Sequence, residues 1–184
     1  LVGIVISSLF SSLISIAKYA ADTDDKLPAI TFWLMGSLSS ASIGDAKILA
    51  LALIIGAIPI FLLRWKLNIM SFGDEEARNM GVDVNRIRPL IIAGASLLTA
   101  AAVSTGGMIG WVGLIIPHIA RFLVGPNYKI LLPVSLICGS LFLLAIDDIA
   151  RNAFAAEIPL GILTSLIGAP FFIFLLWRGK KSWV

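Results

Sequence analysis

Charge is scarce in this chain: only 14% of its 184 residues are Asp, Glu, Lys or Arg, while 59% are hydrophobic. A soluble domain carries about a quarter charged residues, so a water-exposed globular fold is excluded. Cysteine occurs once, as Cys138 inside an apolar run, which rules out a disulfide framework or thiolate metal cluster and leaves a small packed hydrophobe. No G-x-x-x-x-G-K-[ST] phosphate loop occurs, so any ATPase must be another chain. Short segments alternating apolar with polar residues are also missing, which argues against a membrane β-barrel. No catalytic residue, cofactor or metal site is expected.

What is present is hydrocarbon: a mean hydropathy of +0.99, with ten Phe, five Trp and sixteen Gly. Apolar runs cover Leu1 to Ala17, Ile48 to Leu63, Pro89 to Ala120, Ile130 to Ile146 and Ile158 to Trp177. Each is about long enough to cross a bilayer core of ~30 Å, and only helices satisfy their backbone there. The expected fold is an all-α polytopic transmembrane helix bundle, one domain over residues 1–184. Leu1 to Ala17 lacks the basic flank and initiating Met of a signal peptide and is followed by further spans, so it reads as a span in a chain that starts mid-protein.

Pro89 to Ala120 would make a helix of roughly 48 Å, too long for one crossing. Ser104, Thr105, Gly106 and Gly107 offer a break, giving spans near Leu90 to Val103 and Met108 to Leu123. With that fold-back, ten of the 14 basic residues (Arg64, Lys66, Arg78, Arg86, Arg88, Arg121, Lys129, Arg178, Lys180 and Lys181) share one side. Lys18, Lys26, Lys47 and Arg151 take the other. A single crossing would erase the bias, so the positive-inside rule selects six spans with a cytoplasmic C-terminus. Basic residues flanking spans suit a lipid bilayer and not nucleic acid. The exterior loops then fall at Lys18 to Lys47, Ser104 to Gly107 and Asp147 to Glu157. In the first, LPAITFWLMGSL (27–38) is too short to span and reads as an interfacial helix begun at Pro28 and anchored by Trp33. Gly106 with Gly110, and the stripe Gly161, Ser165, Gly168 and Ala169, are expected at helix contacts.

Charge concentrates in GDEEARNMGVDVNRIRP (73–89). Asp74, Glu75 and Glu76 suit a helix N-terminus and Gly81 its end, so a short helix across the cytoplasmic face is expected, showing Arg78, Asn79 and Met80. One reading is a solvated connector held to lipid headgroups. The other is a docking surface for a cytoplasmic partner.

Glu75, Ala77 and Gly81, spaced E-x-A-x-x-x-G, resemble the coupling-helix loop of ABC importer permeases. GMIGWVGLIIPHIARFLVGPNYKILLP (107–133) resembles the G-x-I-G-F-V-G-L-I-x-P-H-x-x-R signature of the FecCD family, permeases importing iron-siderophores, haem and vitamin B12. AIDDIARNAFAAEIPLGILTSLIGAPFFIFLL (145–176) is similar to the family's closing segment, and ITFWLMGSLSSAS (30–42) to its exterior helix after the fifth span. The resemblance implies spans five to ten of a ten-span subunit. It further implies a second permease copy, a separate ATP-binding subunit docked on Asp74, Glu75, Glu76, Ala77, Arg78, Asn79, Met80 and Gly81, and an extracytoplasmic substrate-binding protein facing Arg151.

From spacing alone, Arg151 is also an ion-pair cap, following Asp147 and Asp148 at i+4 and i+3. Glu157, near Pro159, reads as a turn device. His118 has no second ligand one turn away, so packing or loop bracing is preferred over metal or proton traffic. The alternative function, an ion- or proton-coupled secondary transporter, wants ionisable groups near mid-membrane, and the runs hold only the off-centre His118. An intramembrane aspartyl protease is disfavoured because neighbouring Asp147 and Asp148 point about 100° apart on a helix.

Overall fold

Helix start and stop signals set the framework of the chain, for which a computed structural model describes residues 1–152 and 157–180. Eight helices occur among these residues: α1 (Val2–Ala20), α2 (Lys26–Met35), α3 (Ile43–Met70), α4 (Asp74–Asn79), α5 (Val84–Gly106), α6 (Val112–Val124), α7 (Tyr128–Asn152) and α8 (Leu160–Lys180). Residues 153–156 of the closing motif and Lys181 lie outside the described residues.

Two starts outrun the apolar runs because of capping. Ser42 Oγ accepts the Asp45 N–H at 3.2 Å while Asp45 accepts the Ser42 N–H at 2.9 Å, a reciprocal box that opens α3 five residues before Ile48. Asp83 accepts the Arg86 N–H at 3.3 Å and starts α5 ahead of Pro89.

The fold-back occurs, a few residues later than expected. Ser104 and Thr105 stay within α5, their hydroxyls folded back to donate to the Ala101 carbonyl at 2.9 and 3.2 Å. The break falls instead at 107–111, where Gly107 takes φ 69°, open to glycine at little cost. At this end the Ser37 N–H donates to the Gly106 carbonyl at 3.0 Å and the Leu160 N–H to that of Gly36 at 2.8 Å. These bonds gather the end of α2, the end of α5 and the start of α8. At the opposite end Asn68, near the end of α3, donates to Asn127, just before α7, at 2.9 Å. Thus α5 and α6 run in opposite directions. The expected exterior loop from Asp147 also shortens, since α7 continues through Asn152.

Tight packing is confined to small contacts. Gly56 and Gly94 meet back to back where α3 crosses α5, and a Cβ on either would stand 2.9 Å from the other's carbonyl oxygen. In lipid, close van der Waals approach of this kind stands in for the hydrophobic effect. The Gly106–Gly110 pair does not form a helix contact, because Gly110 lies in the turn with nothing near its Cβ position. Gly161 and Gly168 do pack as expected, against Met35 and Trp111. Trp111 itself holds φ 68° at the start of α6 and leans on Phe172, ring centroids 6.4 Å apart.

Two apolar clusters mark the ends. Ala77, Val82, Val84 and Ile87 pack under α4, and Ile146, Ala150 and Leu160 lie at the α2 end. Elsewhere large side chains such as Leu62, Phe122 and Leu166 are exposed, a surface compatible with lipid and not with water. Four helices, α1, α3, α5 and α7, are long and apolar enough to cross a membrane, while α6 and residues 160–175 of α8 are shorter apolar helices. The 13 residues of α6 span roughly 20 Å.

Candidate functional site

The charged stretch folds as expected into a short helix, and its sequence explains how. Three acids, Asp74, Glu75 and Glu76, occupy the first turn of α4, where the helix dipole favours negative charge. At the other end the Val82 N–H donates to the Ala77 carbonyl and the Gly81 N–H to that of Arg78, both at 2.9 Å. This is a Schellman stop, and it requires the φ of +79° that Gly81 adopts. The apolar contact that accompanies such a stop is Val82 against Ala77, both within the buried cluster beneath the helix.

A six-residue helix is not stable by itself, and here a second tie holds it. Arg88, one turn into α5, grips Asp74 with both guanidinium ends, Nη1 to Oδ2 at 2.8 Å and Nη2 to Oδ1 at 2.5 Å. The Arg88 hydrogen bonds hold the Asp74 carboxyl below the usual carboxylate range.

The expected docking residues therefore divide by role. Ala77 is 0% exposed, Asp74 is committed to Arg88, and Gly81 serves through its backbone, so these three shape and brace the element. Glu75, Glu76, Arg78, Asn79 and Met80 face outward. Arg78 donates to the Asn85 carboxamide oxygen at 3.4 Å. The result is a rigid, mostly polar ledge.

Arg151 lies at the other end of the bundle, in the last turn of α7. Its Nε donates to Asp147 Oδ2 at 2.9 Å, and its side chain is 46% exposed. Asp148 is occupied separately by Asn152, which donates to its Oδ1 at 2.9 Å. The two carboxylates thus serve different partners and cannot share a proton. Asp147 Oδ1 is buried without a hydrogen-bond partner among the described residues. His118 is exposed on α6, its Nδ1 2.7 Å from the Leu114 carbonyl. Among the described residues no three His, Cys, Asp or Glu side chains group closely enough to hold a metal.

Sequence reasoning did not find Arg88 as the brace, nor the Asn68 and Asn127 contact. Arg88 follows Asp74 by 14 residues, a spacing without periodicity. The asparagines carried a weak signal: each is a polar residue beside an apolar run, and Asn127 directly precedes a helix, where Asn is a favoured cap.

Residues 1–178 match the model of the FecCD transport family. The chain belongs to this family. It is 41% identical over 182 residues to the molybdate import system permease protein MolB of Haemophilus influenzae, covering 99% of this chain and 54% of that protein. It is 41% identical over 174 residues to the cobalamin import system permease protein BtuC of Halobacterium salinarum, covering 95% and 46%. It is 36% identical over 184 residues to the hemin transport system permease protein HmuU of Yersinia pestis, covering 99% and 54%. A solved structure described as an inward-facing metal-chelate type ABC transporter superposes with a TM-score of 0.90 at 41% identity, covering 96% of this chain and 57% of that one. The chain spans about half the length of the curated relatives it matches. These relatives are transport components and not enzymes, and this FecCD chain is accordingly a multi-pass membrane protein.

Proposed function

We propose that the chain supplies the membrane-spanning part of a permease in an ATP-driven importer, carrying an iron chelate, haem or a cobalamin-type metal complex between two copies of the subunit. Membership of the FecCD family supports this, as do relatives named for molybdate, cobalamin and hemin import. The observation that carries the mechanism is α4, a short ledge tied to α5 through Asp74 and Arg88 at its start and closed by a Schellman stop at its end. On this reading Glu75, Glu76, Arg78, Asn79 and Met80 seat on a cytoplasmic ATP-binding subunit, which moves them as it closes on ATP. The helices then rock between outward-open and inward-open states. The α2 end faces outward, where Arg151 meets a carboxylate of the substrate-binding protein and sets orientation and on-rate.

The test uses the full-length permease expressed with its ATPase and binding protein. Glu75→Lys with Glu76→Lys is expected to cut ATPase co-purification and uptake by tenfold or more, since like charge placed across an interface costs on the order of several kcal/mol. Undiminished association would remove α4 as the contact. Arg151→Glu is expected to slow binding-protein association and to lose most of its salt dependence; unchanged kinetics would leave Arg151 as a helix cap.

A further inference from the structure

Three side-chain hydrogen bonds between residues 59 to 65 positions apart meet at one place, where α3 ends and α7 begins. Their chemistry is specific. The first turn of any helix leaves N–H groups without intrahelical acceptors. In α7 the Tyr128 N–H donates to Asn68 Oδ1 at 2.8 Å, so α3 caps α7 from outside. Asn127 Oδ1 accepts twice, from Lys129 N–H at 3.0 Å and from Asn68 Nδ2 at 2.9 Å. Pro133 has no N–H, which leaves the Lys129 carbonyl, four residues earlier, without its helical donor. Arg64 Nη1 fills that vacancy at 3.0 Å.

The position of this joint matters. Asn68 lies two residues before the end of α3, and α4 begins four residues after that end. Below α4, Ala77 and Val82 pack with Leu63, Ile69 and Met70 of α3, and Arg88 ties α4 to α5. Displacing α4 therefore displaces the end of α3. From the joint, α7 continues without interruption for 25 residues to Asn152, about 37 Å of helix, and carries Arg151 at its far end. Apolar helix contacts in lipid have little directionality, whereas capped hydrogen bonds fix one register.

We infer that Asn68, Asn127 and Arg64 form a coupling joint that transmits motion of α4 to α7, and so links the ATPase-facing ledge to the Arg151 end. They are positioning residues, set apart from the outward-facing residues of α4 and from Arg151. The inference rests on the importer reading. By linkage it works in both directions: a binding protein seated at Arg151 biases α4, and nucleotide on the ATP-binding subunit docked at α4 biases the Arg151 end.

The experiment uses the complete transporter in lipid vesicles and reads the ratio of ATP hydrolysis with and without loaded binding protein. Asn68→Ala and Asn127→Ala are each expected to lower that ratio at least about threefold, and the double substitution no further than either alone, as for groups acting together. Co-purified ATPase and nucleotide-free affinity for binding protein are expected to stay within about twofold of the unmodified transporter, because neither interface is touched. Asn68→Cys with Asn127→Cys, in a transporter otherwise freed of cysteine (Cys138→Ser included), is expected to regain the ratio when joined by a short thiol cross-linker. Unchanged ratios in the alanine variants would overturn the inference. So would assembly falling in step with the ratio, or a cross-linked pair that stays uncoupled. An unmodified transporter without stimulation would overturn the importer reading and this joint with it; intact stimulation in the variants overturns the joint alone.

Discussion

Asp74 and Arg88 tie the start of α4 to α5, beside the apolar cluster that packs beneath it. The guanidinium fork matches both carboxylate oxygens, a geometry lysine cannot reproduce. Its consequence is a pH dependence of known sign. The Asp74 carboxyl titrates below its ordinary value when folded, so the pair's contribution is complete above about pH 4, the unfolded value, and disappears as pH falls through the lowered folded value. Amide hydrogen exchange over 77–82 is expected to quicken across that acidic window relative to the intrinsic rate. Asp74→Asn is expected to quicken it at neutral pH and to remove the acid dependence. Equal protection in the two proteins at pH 7 would mean that the apolar cluster alone holds α4.

At the scale of the element, α4 is a helix of six residues held by the Asp74–Arg88 tie at its start, the Schellman stop at its end and the apolar cluster beneath it. Its C-terminal stop is the most exposed of these to substitution. Gly81 has nothing within 4 Å of a Cβ position, so a side chain there meets no steric contact and any cost comes from φ +79° alone. Gly81→Ala is expected to destabilise the local structure by about 1 kcal/mol, and Gly81→Asn by less, because Asn visits the left-handed region more readily. Exchange rates of the Val82 amide, whose acceptor is the Ala77 carbonyl, read this directly. If alanine and asparagine behave alike, the Schellman geometry is not what ends the helix.

At the scale of the whole molecule, the two candidate surfaces lie at opposite ends of helices that alternate in direction. The ledge of α4 belongs with the end of α3, while Arg151 belongs with the α2 end. If α4 faces the cytoplasm, so does the last turn of α8. Single cysteines at Glu76 and Lys180, in a protein otherwise freed of cysteine (Cys138→Ser included), are expected to react with a membrane-impermeant thiol reagent from the cytoplasmic side only, and Asp24→Cys from the outside only. Labelling of positions 76 and 180 from opposite sides would break both the fold-back and the docking account. The short α6, at 13 residues, fits such an arrangement because the 107–111 turn and the 125–127 turn extend it at both ends.

Hydropathy determined the all-α class, run length together with the sidedness of basic residues determined the fold-back within Pro89 to Ala120, and a cluster of acids before a glycine determined the short helix at Asp74, all of them readable along the chain. Local capping grammar likewise announced Gly81 as a stop. What only the tertiary structure decided was which charged and polar groups meet. Arg88 reaches Asp74, Arg64 fills the carbonyl orphaned by Pro133, and Asn68 caps a helix 60 residues away. Placement of the turn at 107–111 and the crossing at Gly56 and Gly94 were hidden for the same reason. A sequence records what each residue does to its own backbone, while pairing across helices depends on how rods pack in three dimensions, where a glycine or an asparagine gains its meaning from the neighbour it meets.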